Sequence, residues 1–131
     1  MTKESIMMRF AIDLSKLSKC TKRQVAALIT DETFQQVYSI GINGGVIKGT
    51  NCMCELGHKA GCAHAEQQAL VKSTATDKRK VMFVTLSPCV TCATLIANSG
   101  FSRVYYLDEW KELAGLMILQ AAGIRTHKVV L

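Results

Sequence analysis

Two short strings contain the residue types in this sequence that are best suited to chemistry. His64 and Glu66 lie in HAEQQAL, residues 64–70, and Cys89 and Cys92 lie in SPCVTC, residues 87–92. Imidazole and thiolate groups are common protein ligands of zinc, and three such ligands leave the fourth tetrahedral position open for water. A carboxylate beside that water can take up its proton and pass it on. These residue types predict a catalytic zinc site at which Glu66 carries protons.

Each string taken alone permits another interpretation. A Cys-x-x-Cys pair that begins a helix after a strand also fits a thioredoxin-like redox site. A single histidine is commonly structural, and the helix dipole alone favours a glutamate in a first helical turn. Pro88 suits the start of a helix and would place Cys89 and Cys92 one turn apart. His64 and Glu66 share a site only if it caps the beginning of a second helix, so the combination favours zinc held between two helix starts.

The hydrophobic pattern of the first half predicts the elements that position these residues. Apolar side chains recur every three or four positions over 6–18, at Ile6, Met7, Phe10, Leu14 and Leu17, which predicts an amphipathic helix. Two apolar runs over 24–30 and 36–42 predict an antiparallel hairpin. A glycine-rich stretch over 43–62 predicts a long loop, and residues 63–75 predict a helix.

The second half alternates between strands and helices. Strands are predicted over 81–86, 103–107 and 124–131, and helices that end at glycines over 89–100 and 112–123. Because this order implies parallel strands joined by right-handed crossovers, we expect an α/β fold, a three-layer α/β/α sandwich around a five-stranded mixed sheet. Ligands of such sheets bind at the carboxyl ends of strands, where Cys89 follows strand 81–86. Residues 1–131 fit a single domain.

Composition limits the classes of partner. The chain has 131 residues, with 49% hydrophobic residues and a formal net charge of +6. We find no signal segment and no apolar run long enough to cross a membrane, so we expect a soluble, cytoplasmic protein whose six cysteines are reduced. The positive charge fits either solvated surfaces or a negatively charged ligand. Aromatic residues make up only 6%, which counts against a stacking surface for nucleic acid.

Four segments resemble one enzyme family over nearly the whole chain. CAHAEQQAL (62–70) and FVTLSPCVTCATLIANSGFSRVYY (83–106) match the histidine, x, glutamate and Pro-Cys-x-x-Cys pattern of zinc-dependent nucleobase deaminases. SKCTKRQVAALI (18–29) and GINGG (41–45) extend the match upstream. The sequence thus resembles the zinc-dependent cytidine and deoxycytidylate deaminase superfamily, and among its members it is most similar to the dCMP deaminases of phage type.

This resemblance implies a reaction and a role for individual residues. His64, Cys89 and Cys92 would hold the catalytic zinc, and Glu66 would carry protons. The expected reaction is the hydrolytic deamination of dCMP, or of a close deoxycytidine nucleotide, to dUMP and ammonia, which supplies pyrimidine deoxynucleotides. The substrate-binding residues expected from the same match are Asn43 at the sugar, the backbone of Ala65 at the pyrimidine, and Lys22 and Arg23 near the phosphate. Asn43 is also followed by glycine, a strong turn signal in its own right.

The resemblance to phage-type enzymes also implies a second, structural zinc. Cys20 and Cys52 occupy matching positions, and we expect His58 and Cys62 to complete the site, with Cys54 as a substitute. A closed four-ligand zinc would hold together a loop that has little apolar surface. The alternative is that some of these cysteines are small buried hydrophobic residues.

The sequence is also compatible with two other functions, and the family resemblance implies an oligomeric assembly. A deaminase that acts on a base in tRNA or single-stranded DNA would use the same zinc motifs, and the net charge gives it some support. A zinc-stabilised binding module without catalysis would have no need of Glu66. Because relatives are oligomers, commonly hexamers, we expect self-association.

Overall fold

A five-stranded mixed sheet forms the centre of the molecule, as seen in a computed structural model that describes residues 1–45, 61–73 and 79–131. The helices are α1 (Lys3–Ser15), α2 (Ala65–Lys72), α3 (Val90–Ala97) and α4 (Ala114–Ala121). The strands are β1 (Ala26–Thr30), β2 (Val37–Ile42), β3 (Gly44–Gly45), β4 (Cys62–Ala63), β5 (Lys80–Leu86), β6 (Phe101–Asp108) and β7 (Arg125–Lys128). Among the described helices, none combines the length and the hydropathy of a membrane span.

The strand order of the main sheet is β2-β1-β5-β6-β7. β1 runs antiparallel to both β2 and β5, whereas β5, β6 and β7 are mutually parallel and are joined by α3 and α4. The predicted mixed sheet of five strands is therefore confirmed. Its carboxyl edge, defined by the ends of β5, β6 and β7, also contains the beginning of β1 and the end of β2.

Helices cover both faces of this sheet, as predicted. On one face α1 packs over a core that includes Leu28, Phe83 and Tyr105. On the other face a larger core includes side chains of α2, α3 and α4. β1 and all of β5 except Leu86 are buried because the two central strands have helices above and below them. Central strands of this kind read as continuous apolar runs rather than as alternating patterns.

The inward face of α1 agrees only in part with the one that its apolar spacing predicts, since Met7 and Leu14 pack against the core but the other predicted residues are exposed. The buried residues are Ser5, Met8, Ala11 and Ser15, whereas Ile6 and Phe10 are 50% and 40% exposed. Apolar residues surround most of this helix, so their spacing did not define one face. At the contact the large side chain of Met8 is fully buried, and the small side chains beside it let the helix lie close to the sheet.

The predicted loop over 43–62 contains an element that the sequence analysis missed. Gly44 pairs with Ala63 and Gly45 pairs with Cys62 in a short antiparallel ladder, β3 with β4. This ladder lies directly after β2 and directly before His64. It therefore ties the entry to α2 to the carboxyl edge of the sheet, while residues 46–60 lie outside the described part of the chain.

Two glycines allow backbone to touch backbone beneath the helices. A Cβ atom at Gly41 in β2 would lie 1.9 Å from the Ala65 carbonyl oxygen and 2.6 Å from the Ala69 nitrogen. A Cβ atom at Gly115 in α4 would lie 2.0 Å from the Pro88 carbonyl oxygen. These contacts fix the seating of α2 on the sheet and of α4 against the turn before α3.

We predict that Gly41→Ala lowers the free energy of unfolding by about 3 kcal/mol, because a methyl group there meets backbone that no rotamer change can move. The seat of α2 should shift, and zinc bound by the purified protein should fall. Urea unfolding and metal analysis would measure both effects.

Gly123→Ala is the matched control for this change. Gly123 has φ +82 but open space around its Cβ position. The substitution should cost only about 1 kcal/mol through backbone strain and leave zinc binding intact. Equal losses of stability and zinc in the two variants would contradict the close-contact explanation.

Candidate active site

The site begins at the N-termini of two helices. His64 is the N-cap of α2 and Cys89 is the N-cap of α3, both in extended backbone conformation. The His64 backbone N–H donates to Oε1 of Gln67, 2.8 Å away, which fixes the first turn of α2. Pro88 immediately precedes the N-cap of α3 and so lies two positions before Val90, the first residue of the helix, rather than in the first turn as the sequence predicted. The expected arrangement of two facing helix starts is nevertheless present.

Three potential metal ligands converge at these helix starts. Nδ1 of His64 lies 3.2 Å from Sγ of Cys92 and 3.6 Å from Sγ of Cys89. The ligand atoms of all three residues lie within 4.8 Å of one another. Cys92 is fully buried, whereas His64 and Cys89 are half-buried. The structure thus brings together His64, Cys89 and Cys92, as the sequence predicted, and leaves one side of the cluster accessible.

The two thiol groups play different parts in their hydrogen bond, since the Cys92 thiol donates and the Cys89 sulfur accepts. Hydrogen bonds from the Cys92 thiol and from His64 lower the pKa of the Cys89 thiol to about 3. The Cys92 backbone N–H also donates to Cys89 Sγ at 3.5 Å. The pKa of Cys92 is raised, first because its thiol donates to Cys89 and then because it is buried. Cys89 is therefore the anionic partner, at the positive end of a helix dipole.

Glu66 lies in the first turn of α2, beside this cluster. The residue is only 5% exposed, and burial raises the pKa of its carboxyl group to about 7. Hydrogen bonds from its own backbone N–H and from the Cys92 thiol act in the opposite direction, as does the charge of His64. A carboxyl group with this pKa can both accept and donate a proton near neutral pH.

The donor set fits zinc better than the other common biological metals. One imidazole and two thiols are the soft and borderline ligands that zinc prefers, and magnesium or calcium would require oxygen ligands instead. Three protein ligands on one side of an ion leave a position for water or substrate. The residues present could therefore hold a zinc ion of the catalytic type.

Further hydrogen bonds hold the turn that leads into α3. The Ser87 backbone N–H donates to the Asp108 carbonyl oxygen at 2.8 Å, and the Trp110 backbone N–H donates to Ser87 Oγ at 2.7 Å. These bonds tie the end of β5 to the end of β6 on the carboxyl edge. The sequence analysis missed Ser87, although its position directly after a buried strand marks the same edge.

Asn43, expected at the sugar, has a structural role in this molecule. Its Oδ1 accepts from the Val25 backbone N–H at 2.8 Å and from Ser18 Oγ at 2.7 Å, and its Nδ2 donates to the Arg23 carbonyl oxygen at 2.8 Å. Both lone pairs of Oδ1 are thereby used. The Asn43 side chain thus joins the segment before β1 to the end of β2.

The other expected substrate residues occupy different surroundings. The Arg23 guanidinium donates to Oδ2 of Asp108 at 3.2 Å, so it lies at the carboxyl edge in an exposed ion pair. Lys22 is exposed on the same segment. Ala65 is fully buried, with its carbonyl group against Gly41. Asp108 was not predicted, because its contact with Arg23 spans 85 positions of sequence.

Only part of the expected structural zinc site lies in the described residues. Cys20 is half-buried after α1, and Cys62 is half-buried in β4, where it pairs with Gly45. The remaining expected ligands, Cys52 and His58 with Cys54 as substitute, lie outside the described residues.

Comparison with known proteins identifies the family. The model of the cytidine and deoxycytidylate deaminase zinc-binding region matches residues 1–108, which is most of the chain. The chain therefore belongs to the cytidine and deoxycytidylate deaminase family, and the resemblance seen in its motifs is confirmed.

Individual relatives agree with this assignment. The chain is 29% identical to the deoxycytidylate deaminase of Saccharomyces cerevisiae, over 95% of this chain and 44% of the yeast protein. It is 28% identical to the deoxycytidylate deaminase of Enterobacteria phage T4, over 97% of this chain and 90% of the phage protein. The chain thus spans less than half the length of the yeast relative and most of the phage relative.

A solved structure confirms the fold. The dCMP deaminase of cyanophage S-TIM5, determined in complex with dCMP and dUMP, is 33% identical to this chain. It superposes with a TM-score of 0.88, covering 98% of this chain and 99% of the phage chain. The three-layer architecture predicted from the sequence is the architecture of this family.

We predict that Asn43→Ala lowers the free energy of unfolding by about 2 kcal/mol, because it leaves the Val25 N–H and the Arg23 carbonyl group without their partner. Urea unfolding would measure the loss. Asn98→Ala is the control, since Asn98 is exposed at the end of α3 and its replacement should change stability by no more than about 0.5 kcal/mol. A stability change at Asn43 as small as that at Asn98 would argue against the structural role.

Proposed function

We propose that this protein is a zinc-dependent hydrolase that deaminates dCMP, or a close deoxycytidine nucleotide, to dUMP and ammonia. The observation that carries the proposal is the placement of buried Glu66 beside the converging His64, Cys89 and Cys92. A purely structural zinc site would not need this carboxyl group. The deoxycytidylate deaminases of yeast and phage T4, and the cyanophage enzyme bound to dCMP and dUMP, support the choice of substrate.

In this proposal His64, Cys89 and Cys92 are the zinc ligands, and zinc supplies an activated water when bound. Glu66 takes a proton from that water and delivers it to the ring nitrogen next to the amino group. The water oxygen bonds to the ring carbon that carries the amino group, and Glu66 takes the remaining proton from that new hydroxyl group and delivers it to the leaving amine. The carbon–nitrogen bond then breaks, which yields uracil and ammonia. Burial suits this role, because a desolvated carboxyl group transfers protons without exchange with bulk water.

Substrate contacts would form along the carboxyl edge of the sheet. Lys22 and Arg23 lie on one segment there, and Arg23 already donates a hydrogen bond to Asp108. We propose that these two cations face the nucleotide phosphate, that Asn43 lies near the sugar, and that the backbone of Ala65 faces the pyrimidine. The hydrogen bonds of Asn43 to Ser18 and Val25 support an indirect contribution as well, since they hold the segment that carries Lys22 and Arg23.

We further propose the structural zinc site of Cys20, Cys52, His58 and Cys62, with Cys54 as substitute. Support comes from Cys20 and Cys62, which are half-buried thiols on segments near the carboxyl edge. Such a site would join the segment before β1 to the segment that enters α2.

Assembly and location complete the proposal. Residues 1–131 would act as one deaminase domain in a homo-oligomer, a hexamer by family resemblance. Exposed apolar side chains on α1 and α4, such as Ile6, Phe10 and Met117, are 50%, 40% and 66% exposed and offer surface for self-association. A cytoplasmic location would supply nucleotides and keep the thiols reduced.

Substrate choice can be tested with four cytosine compounds. Ammonia release would be followed with dCMP, dCTP, deoxycytidine and a cytosine-containing oligonucleotide, each given to the same purified protein. We expect dCMP to have the highest kcat/KM, because the cations at the carboxyl edge suit a phosphate on the sugar. Release from the oligonucleotide alone would identify a nucleic-acid deaminase, and no release from any compound would favour a binding module.

The matched variant for this assay is Glu66→Gln. The amide keeps the shape of the side chain but cannot take up the proton, so turnover should fall by a factor of about 10² to 10⁴. Zinc content should remain that of the unmodified protein, because Glu66 is not proposed as a ligand. Substantial residual turnover would mean that another group moves the proton.

The number of zinc ions per chain tests the second site separately. Elemental analysis should give two zinc ions for the unmodified protein, one for Cys20→Ala and one for Cys92→Ala. Cys92→Ala should also abolish deamination, whereas the neighbouring control Thr21→Ala should keep both ions. One zinc in the unmodified protein would reject the structural site and leave the catalytic site in place.

A further inference from the structure

A cavity lies at the edge of the sheet opposite the zinc-ligand candidates. It has a volume of about 400 Å³, and its lining is Glu32, Arg79, Phe101, Ser102, Arg103, Gly123 and Arg125. These residues lie at the beginnings of β5, β6 and β7 and at the turn that follows β1. The His64, Cys89 and Cys92 cluster lies at the carboxyl ends of the same strands, so the sheet separates the two places.

The charge of this cavity is predominantly positive. Three guanidinium groups, those of Arg79, Arg103 and Arg125, face one carboxylate, that of Glu32. A fourth cation lies behind the wall, where Nζ of the buried Lys80 is 5.1 Å from the centre of the Phe101 ring. An excess of guanidinium groups around a concave space is the arrangement that binds phosphate oxygens through paired N–H donors.

Arg103 is held in place by contacts on several sides. Its guanidinium donates to the Tyr105 hydroxyl at 2.8 Å and to the Glu32 carbonyl oxygen at 2.9 Å. The same group lies 5.4 Å from the centre of the Phe34 ring and 5.6 Å from that of Tyr105. Because its position is fixed, this cation loses little conformational freedom when an anion binds.

The other two arginines of the cavity, Arg79 and Arg125, differ in the contacts that they make. Nε of Arg79 donates to Oε1 of Glu32 at 2.7 Å, and Ser102 Oγ donates to Oε2 of the same carboxylate at 3.1 Å. Arg125 is exposed and makes no side-chain hydrogen bond or ion pair within the described residues. Within the cavity the Glu32 carboxylate thus already accepts hydrogen bonds from Arg79 and Ser102. The N–H donors of Arg125 are available to a ligand.

We propose that this cavity is an anion-binding site for the phosphate or polyphosphate group of a small molecule. The phosphate would accept from Arg103 and Arg125, and it would compete with the Glu32 carboxylate for Arg79 and for the Ser102 hydroxyl. The site is separate from the proposed catalytic centre, and a ligand there would contact the beginnings of the strands whose ends carry the zinc-ligand candidates. Binding at this place does not depend on the proposed deamination.

The test is calorimetric titration of the full chain with inorganic phosphate and with tripolyphosphate at 0.15 M NaCl. Three variants each remove one positive charge: Arg125→Gln in the cavity, Lys22→Gln at the carboxyl edge and Arg9→Gln on α1. We expect saturable binding of at least one of the two anions, weakened about tenfold by Arg125→Gln. Lys22→Gln and Arg9→Gln should leave this affinity unchanged, since Arg9 is exposed on another face.

Removing the negative charge of Glu32 provides a second test of the same proposal. Glu32→Gln should strengthen anion binding about threefold, because it removes a repelling carboxylate that also occupies Arg79. Glu112→Gln changes the net charge by the same amount at an exposed position outside the cavity, and it should have no such effect. Equal strengthening by both changes would mean that only the overall charge matters and would overturn the proposal.

Three other results would also overturn it. The first is no saturable binding of either anion, and the second is a loss caused by Lys22→Gln but not by Arg125→Gln. The third is tight, Arg125-dependent binding of a fluorescent oligonucleotide without binding of either small anion, which would make the surface a contact for a nucleic-acid backbone. Whether phosphate or tripolyphosphate binds more tightly then decides between a single phosphate group and a polyphosphate chain.

Discussion

Direct backbone contact between helices and the elements beneath them is the constraint on which the rest of this structure depends. The ligand candidates His64 and Cys89 are the N-caps of two helices, so their separation is set by how those helices pack on the sheet. At Gly41 and Gly115 no side chain intervenes, and the carbonyl groups of Ala65 and Pro88 lie where a Cβ atom would be. Catalytic groups must be held to well within about 1 Å of their productive positions. A helix that packs directly on backbone atoms is positioned more exactly than one that packs on mobile side chains.

The same seating creates the electrostatic conditions of the site. Two helix N-termini bring positive ends together around Cys89 and Cys92, which favours a thiolate. The same packing buries Glu66, and this burial raises the pKa of its carboxyl group to about 7 in the absence of a cation. A divalent ion within this cluster would offset both the charge of the thiolates and the desolvation of the carboxylate, because opposite charges interact strongly where water is excluded. The charges and the burial of this cluster therefore favour the binding of a cation.

The sequence predicted the layers and the cluster because both follow from local patterns. The apolar run over 81–86 identified a central strand, and the types and spacing of His64, Cys89 and Cys92 identified candidate metal ligands that the structure brings together. The inward face of α1 could be predicted only in part, since apolar residues surround that helix and Ser5 and Ser15 are buried beside Met8. The close approach of α2 at Gly41 could have been predicted, because an isolated glycine within a strand commonly marks such a backbone contact.

Contacts between distant segments were beyond local patterns. Arg23 and Asp108 meet across the carboxyl edge, and Arg79 meets Glu32 across the opposite edge, in each case because a strand order that is not sequential places them together. The cationic cavity is a consequence of the same order, since its arginines begin three different strands or precede them.

Asn43 shows how one side chain can hold the fold together and still keep a donor group for a ligand. Its position before Gly44 predicted a turn, and the family resemblance predicted a sugar contact. The structure commits both lone pairs of Oδ1 to Ser18 and Val25 and one Nδ2 hydrogen to Arg23, which leaves the second Nδ2 hydrogen as the group that can face a ligand. A side chain fixed at three points can donate that hydrogen at little entropic cost, so the structural bonds of Asn43 are themselves a form of preorganisation for any ligand at the carboxyl edge.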